Sequence, residues 1–309
     1  MNFDAIGFGK ELYNIRNTMN LTIEETGFLS DVNEKTIYRL ENGKNKASRN
    51  TLNQLSKVYK KDLFSLLYKH MDNPMDKWNK IVETTENQLY IDDMDGISYS
   101  IEELRKLPLD EFNLFDEINI MHYIGILEST YSDIKEKSRY SSIERLEHSL
   151  KFNIPYFDLA NYKNYNYSPM EIRLIMNLAT LKYYMTKNNL YRDILSHLLS
   201  LDLNDPVITP KIILNLASMY QEIDEYNKVL SLVNYGITYC ITNQNLQALP
   251  KLYFRKFVSE LNLDFKCYME SLNKAIFTAE INNQEFLKQQ FISSAHRYYN
   301  IESDYFKER

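Results

Sequence analysis

The sequence predicts an all-α protein in two parts: a bundle of short N-terminal helices, then a longer helical array. Three observations carry this expectation. Only 7 glycines and 7 prolines occur in 309 residues, too few for the closely spaced turns of an all-β chain. Helix start and stop signals recur along the whole length, with apolar residues at helical spacing between them. Pro169, Pro210 and Pro250 follow one another at intervals of 41 and 40 residues, which points to a repeated helical unit in the second part. With 44% hydrophobic residues, the chain can bury a sizeable core.

The first 70 residues read as five short helices. Ile6, Leu12, Ile15 and Met19 mark one face of the first, with Arg16 beside them. Thr22 with Glu25 three residues later is a capping box, so a second helix starts near Ile23. A turn at residues 30–33 leads to Asn33, which caps a third helix from Glu34 to Glu41. Asn42-Gly43 ends that helix, Gly43 being free to take the left-handed backbone. A fourth helix starts near Asn50, with Leu52, Leu55 and Val58 inside, and a fifth carries Leu63, Leu66 and Leu67.

A second and third helix joined by a tight turn describe a helix-turn-helix domain. The charge distribution agrees. Residues 1–70 hold 11 Lys/Arg against 8 Asp/Glu, so the remainder of this −6 chain carries −9. In such a domain the N-terminal part of the third helix meets base edges. That selects Asn33, Glu34, Lys35, Thr36 and Tyr38, with Arg39 on the same helix. Lys44, Lys46 and Arg49 are the phosphate candidates, and the start of the second helix at Thr22 adds backbone donors.

The stretch from Leu21 to Leu67 resembles the Xre/Cro-type repressor domain. The string "TIYRLENG" (36–43) fits the end of that family's recognition helix at every defined position. The resemblance implies that Arg16 pairs with Glu41, tying the first helix to the third. Two positions depart from the family pattern: Thr26 stands where a leucine is usual, and Asp31 where the turn glycine is usual.

Residues 71–110 read as linker helices. Pro74 breaks the chain, Trp78, Ile81, Val82 and Leu89 suggest one helix, "IDDMDG" (91–96) reads as a solvated break, and "SIEELRKL" forms a short helix closed by Pro108. Residues 111–309 are helix after helix. Ser168 and Thr209 precede prolines as caps, and "MNLATLKYY" (176–184) echoes "LNLASMYQE" (214–222). These strings resemble the tetratricopeptide signature, with Ala217 in the small-residue slot. The implied architecture is a right-handed tetratricopeptide-like array with a concave binding face. Asn177 and Asn215 fall at equivalent slots, and an amide that donates and accepts at once can grip the backbone of an extended peptide. Arg173, one turn before Asn177, suits a carboxylate. Lys211, Tyr220, Tyr253 and Arg255 complete the peptide-binding candidates.

Nothing in the sequence marks an enzyme. His70, His122, His148, His197 and His296 are scattered without metal-ligand spacing, and no phosphate-binding loop or nucleophile motif occurs. No cofactor and no metal are expected. Cys240 and Cys267 read as buried apolar filler. No apolar run reaches membrane-span length, and no signal-peptide pattern opens the chain, so a soluble cytoplasmic protein is expected.

In layout and length the chain is similar to the Rgg/PlcR/PrgX group of peptide-responsive quorum-sensing regulators. The resemblance implies a homodimer on a two-fold DNA operator, with the repeat domain dimerising and holding a short signalling peptide in its groove. Two alternatives stay open: a helix-turn-helix factor whose repeats bind a protein partner, and a repeat protein that regulates an enzyme.

Overall fold

The computed structural model describes residues 3–71, 73–201, 203 and 205–301. Among these residues sixteen α-helices and three 3₁₀ segments form the chain, with no strand beyond an isolated Phe3–Met71 bridge. Two compact units result: Met1–Lys80 with Leu107–Phe112, and Ile81–Lys106 with Asn113–Arg309.

The first unit holds α1 (Ala5–Thr18), α2 (Ile23–Ser30), α3 (Glu34–Glu41), α4 (Arg49–Tyr59) and α5 (Leu63–Lys69). The Thr22/Glu25 capping box opens α2, Asn33 caps α3 by accepting from Lys35 N, and Gly43 adopts φ 65° after α3. Phe8, Leu12, Ile37, Leu40, Leu52, Leu55 and Leu63 form the core. The buried face of α1 is therefore Phe8 and Leu12. Ile6 and Met19, expected on that face, are 62% and 39% exposed. Gly9 explains the shift: a Cβ there would lie 2.5 Å from Leu40 O, so α1 meets the α3 backbone at the glycine, beside Phe8. Thr26 is buried and donates its hydroxyl to Thr22 O (2.8 Å), which satisfies the polar atom placed in a leucine's position.

α6 (Pro74–Tyr90) brings the chain into the second unit, and α7 (Met94–Arg105) packs there on α8 (Leu114–Ile134). α7 starts within the expected "IDDMDG" break. Asp92 takes the left-handed backbone and Asp93 caps Gly96 N, so the aspartates join two helices directly. The array continues with α9 (Arg139–Asn153), α10 (Pro169–Thr186), α11 (Leu190–Ser200), α12 (Ile208–Gln221), α13 (Tyr226–Thr242), α14 (Leu249–Asn262), α15 (Tyr268–Ile281) and α16 (Glu285–Tyr299).

From α8 onward each helix packs on its sequence neighbour, and the even-numbered helices α8, α10, α12 and α14 also stack on one another. That is the pattern of stacked helix pairs. Fully buried Ala179 and Ala217 allow close approach between helices, and Tyr183 donates to Met219 O (3.1 Å), linking α10 to α12. Ser168 and Glu171 form a capping box at α10. Thr209 is not a cap: α12 starts earlier, with Asp205 Oδ1 accepting from Val207 N and Ile208 N. Cys240 is buried as expected, but Cys267 is exposed, since it sits just ahead of α15.

Candidate nucleic-acid interface and ligand pocket

A buried ion pair holds α3 in place. Arg16 Nε and Nη2 donate to Glu41 Oε1 and Oε2 at 2.7 and 2.8 Å, and Arg16 Nη1 donates to Leu21 O at 2.8 Å. The Glu41 contacts raise the Arg16 pKa despite burial. One guanidinium thus ties α1, the start of α2 and the end of α3 together. The arrangement implied by the Xre/Cro resemblance is present.

With Ile37, Leu40 and Glu41 turned inward, the other face of α3 is open. Asn33, Glu34, Lys35, Tyr38 and Arg39 are exposed and Thr36 is half-buried. Lys44, Lys46 and Arg49 are exposed just beyond. Lys44 Nζ lies 5.6 Å from the Tyr38 ring centroid and Lys46 Nζ 5.7 Å from that of Phe3, so both side chains rest on aromatic faces. At the start of α2 the Glu25 carboxylate accepts from both Thr22 N and Thr22 Oγ1. Those two donors are occupied within the capping box.

In the second unit a cavity of about 1020 Å³ opens along the even-numbered helices. α10 contributes Arg173, Met176 and Asn177, α12 contributes Lys211, Leu214, Asn215 and Ser218, and α14 contributes Lys251, Phe254, Arg255 and Val258. The spacing within each helix is the same, so one side of each helix faces the cavity at matching register. Asn177 and Asn215 are half-buried, and neither side chain hydrogen-bonds to a described residue.

Beside the cavity, Glu86 of α6 joins two of the cations. Arg173 Nη1 lies 2.5 Å from its carboxylate, Lys211 Nζ also contacts it, and Tyr123 donates its hydroxyl at 2.8 Å. Burial alone would raise the Glu86 pKa, but Arg173 and then Lys211 hold it down to about 2. Burial and the neighbouring Arg173 push Lys211 down to about 8, in spite of Glu86. Arg255 donates to Gln221 Oε1 (2.7 Å) and to Ser218 Oγ, both neutral acceptors.

The cavity thus collects Arg173, Asn177, Lys211, Asn215 and Arg255. Tyr220 and Tyr253 lie elsewhere. Tyr220 packs between Arg192 and Lys228, and Tyr253 belongs to the apolar clusters around α13 to α16 with Lys274 over its ring. Glu86, Lys251 and Arg297 are functional candidates that the sequence reading does not single out. Lys251 has a sequence signal, standing 40 residues after Lys211. Glu86 has none, since its partners are remote in the chain. Among the described residues no group of three or more His, Cys, Asp or Glu side chains is placed to hold a metal. No described helix is long and apolar enough to cross a membrane.

Comparison with known proteins agrees with this geometry. The helix-turn-helix family model matches residues 12–66. No curated protein matches by sequence. Among solved structures, the chain is similar to Bacillus thuringiensis PlcR in complex with the peptide PapR7 and DNA, at 12% identity and TM-score 0.56, over 92% of this chain and 98% of that one. It is similar to ComR from S. thermophilus in complex with DNA and its signalling peptide ComS, at 16% identity and TM-score 0.53, over 93% and 98%. It is likewise similar to ComR from Streptococcus vestibularis in complex with its cognate signalling peptide XIP, at 15% identity and TM-score 0.53, over 94% and 97%. Residues 12–66 are therefore a helix-turn-helix domain, and the chain as a whole shares the fold of PlcR and ComR, in which a helix-turn-helix unit is followed in sequence by a helical repeat array.

Proposed function

We propose that this protein is a transcription regulator whose DNA binding is controlled by a short signalling peptide held in the α10–α12–α14 cavity, as in the Rgg/PlcR/PrgX group. The observation that carries the reading is the pair Asn177 and Asn215. They occupy matching register on neighbouring even-numbered helices, face one cavity, and hydrogen-bond to no described residue through their amides. That arrangement suits the alternating donors and acceptors of an extended peptide backbone. The likeness to PlcR and ComR, solved with both DNA and peptide, supports it.

In this reading α3 enters the major groove with Lys35 and Thr36 at base edges, while Lys44, Lys46 and Arg49 take phosphates. Two copies are needed, because one modestly basic head binds DNA weakly, whereas two linked heads raise effective concentration. The peptide acts by favouring one arrangement of the heads, each 1.4 kcal/mol of preference changing the population ratio about tenfold.

The test uses the full chain, the DNA upstream of its own gene, and synthetic peptides covering short secreted reading frames beside that gene. Mobility shift should show a peptide that changes the apparent DNA affinity. Asn177→Ala with Asn215→Ala should abolish the peptide's effect and leave peptide-free DNA binding intact. A double variant that still responds normally would refute the role given to the two amides.

A further inference from the structure

The cavity is cationic in a chain that is acidic. The alternate helices α10, α12 and α14 place a cation at the same register, Arg173, Lys211 and Lys251, and α14 adds Arg255 one turn on. Arg297 of α16 makes five, and among the described residues no Asp or Glu lines the cavity. The chain as a whole carries −6, so this concentration is local.

The cations are unequally compensated. Glu86 serves both Arg173 and Lys211. Lys251 has no salt bridge to a described residue, and its ammonium lies 5.9 Å from the centroid of the Tyr90 ring. Among the described residues Arg255 donates to Gln221 and Ser218, neither of them charged. Arg297 lies 5.5 Å from the ring of its neighbour Tyr298 and likewise has no salt bridge among the described residues. Burial pushes the pKa values of both Lys251 and Arg255 down, by more than Asp92 near the first and Tyr184, Tyr299 and Glu222 near the second offset. Buried charge is costly unless paired. No described carboxylate forms a salt bridge with Lys251 or Arg255, and the exposed Arg297 adds a further positive charge at the same end.

We propose that the cavity selects an acidic oligopeptide, with one Asp or Glu side chain seated at Lys251 and Arg255 and another toward Arg297, while Asn177 and Asn215 hold its backbone. The inference rests on the peptide-binding reading above and adds the chemical class of the ligand. Glu86 already supplies the counter-charge at the Arg173 end, so the acidic residues lie toward the other end of the bound peptide.

Affinity selection tests this with the immobilised full chain and two random heptapeptide libraries, one with free and one with amidated C-termini. The retained pools should be enriched about threefold in Asp and Glu over the input in both libraries. The enrichment should fall in Lys251→Gln and in Arg297→Gln, the latter an exposed position where folding is not at stake. Retention without acidic enrichment, or enrichment only through a free C-terminus, would overturn the inference and leave the peptide-binding reading standing. Enrichment unchanged in both variants would overturn the placement of the carboxylates. Retention no better than on empty matrix from either library would overturn both readings.

Discussion

Arg173 Nη1 lies 2.5 Å from the Glu86 carboxylate, a buried ion pair that fastens α6 to α10 across 87 positions of sequence. Lys211 of α12 shares the same carboxylate. Glu86→Gln would leave two cations buried without a counter-charge, so it should destabilise the full chain by about 3–5 kcal/mol in urea unfolding. The pair also sets an acid limit. The unfolded chain protonates Glu86 near 4.5 and the folded chain near 2. Between those values the unfolded state binds more protons, so stability falls as pH drops through the window. In Glu86→Gln that part of the acid dependence should disappear.

The open face of α3 separates two kinds of contact. Lys35 stands at the N-terminal end of the helix, where the proposed docking would bring base edges, whereas Lys44 and Lys46 lie past its end. Lys35→Ala should reduce discrimination between operator and unrelated DNA, by about 1–3 kcal/mol at the base it reads. Lys44→Ala should weaken binding to all sequences alike and lower the salt slope by about one. Titrations of specific and non-specific duplexes at several salt concentrations distinguish the two. Equal losses on both duplexes for Lys35→Ala would remove it from base readout.

Asp31 sits at φ 56° and ψ 32°, the left-handed conformation, between α2 and α3. Glycine enters that region without steric cost, whereas an aspartate tolerates it at a small penalty. Asp31→Gly should therefore stabilise the helix-turn-helix unit, by up to about 1 kcal/mol, without moving α3. Differential scanning calorimetry should show an upward shift and DNA affinity should stay unchanged. A downward shift would mean that the carboxylate itself contributes more than the backbone strain costs.

Signals contained within a few residues translate directly from sequence to structure. Thr22 with Glu25, Asn33 before α3, and Gly43 after it are local contacts, and each forms as read. The Arg16–Glu41 pair spans 25 residues and is legible only through the Xre/Cro resemblance. Ile6 and Met19 show the limit of apolar spacing: it cannot register that Gly9 draws the neighbouring Phe8 inward. In the array, the N-L-A repeats locate Asn177 and Asn215 on the cavity wall. Lys251 keeps the repeat spacing, but α14 lacks the N-L-A string that would reveal it. Tyr220 and Tyr253 are absent from the described cavity lining, and an amphipathic ring suits a packed interface as well as a binding wall. Glu86 carries no sequence mark at all, since its role exists only once helices far apart in sequence are stacked.

The dimer expected from the Rgg/PlcR/PrgX resemblance needs an apolar face, and α15 presents one. Phe277 and Ile281 lie one turn apart and are 62% and 54% exposed, in the repeat domain that the resemblance expects to dimerise. Adjacent large apolar side chains of this exposure are the kind of anchor that dominates interface energy. Phe277→Asp and Ile281→Asp would each place a charge in that contact, at a cost of about 2 kcal/mol or more, which is a loss of dimer affinity of roughly 30-fold. Neither side chain belongs to the buried core, so the helical signal should be retained in circular dichroism. Sedimentation equilibrium across a concentration range should then show a dimer for the unaltered chain and monomer for the variants. The variants should also bind a single half-site as well as the parent does, while losing the advantage of a two-fold operator. If both variants remain dimeric at low concentration, self-association uses another face.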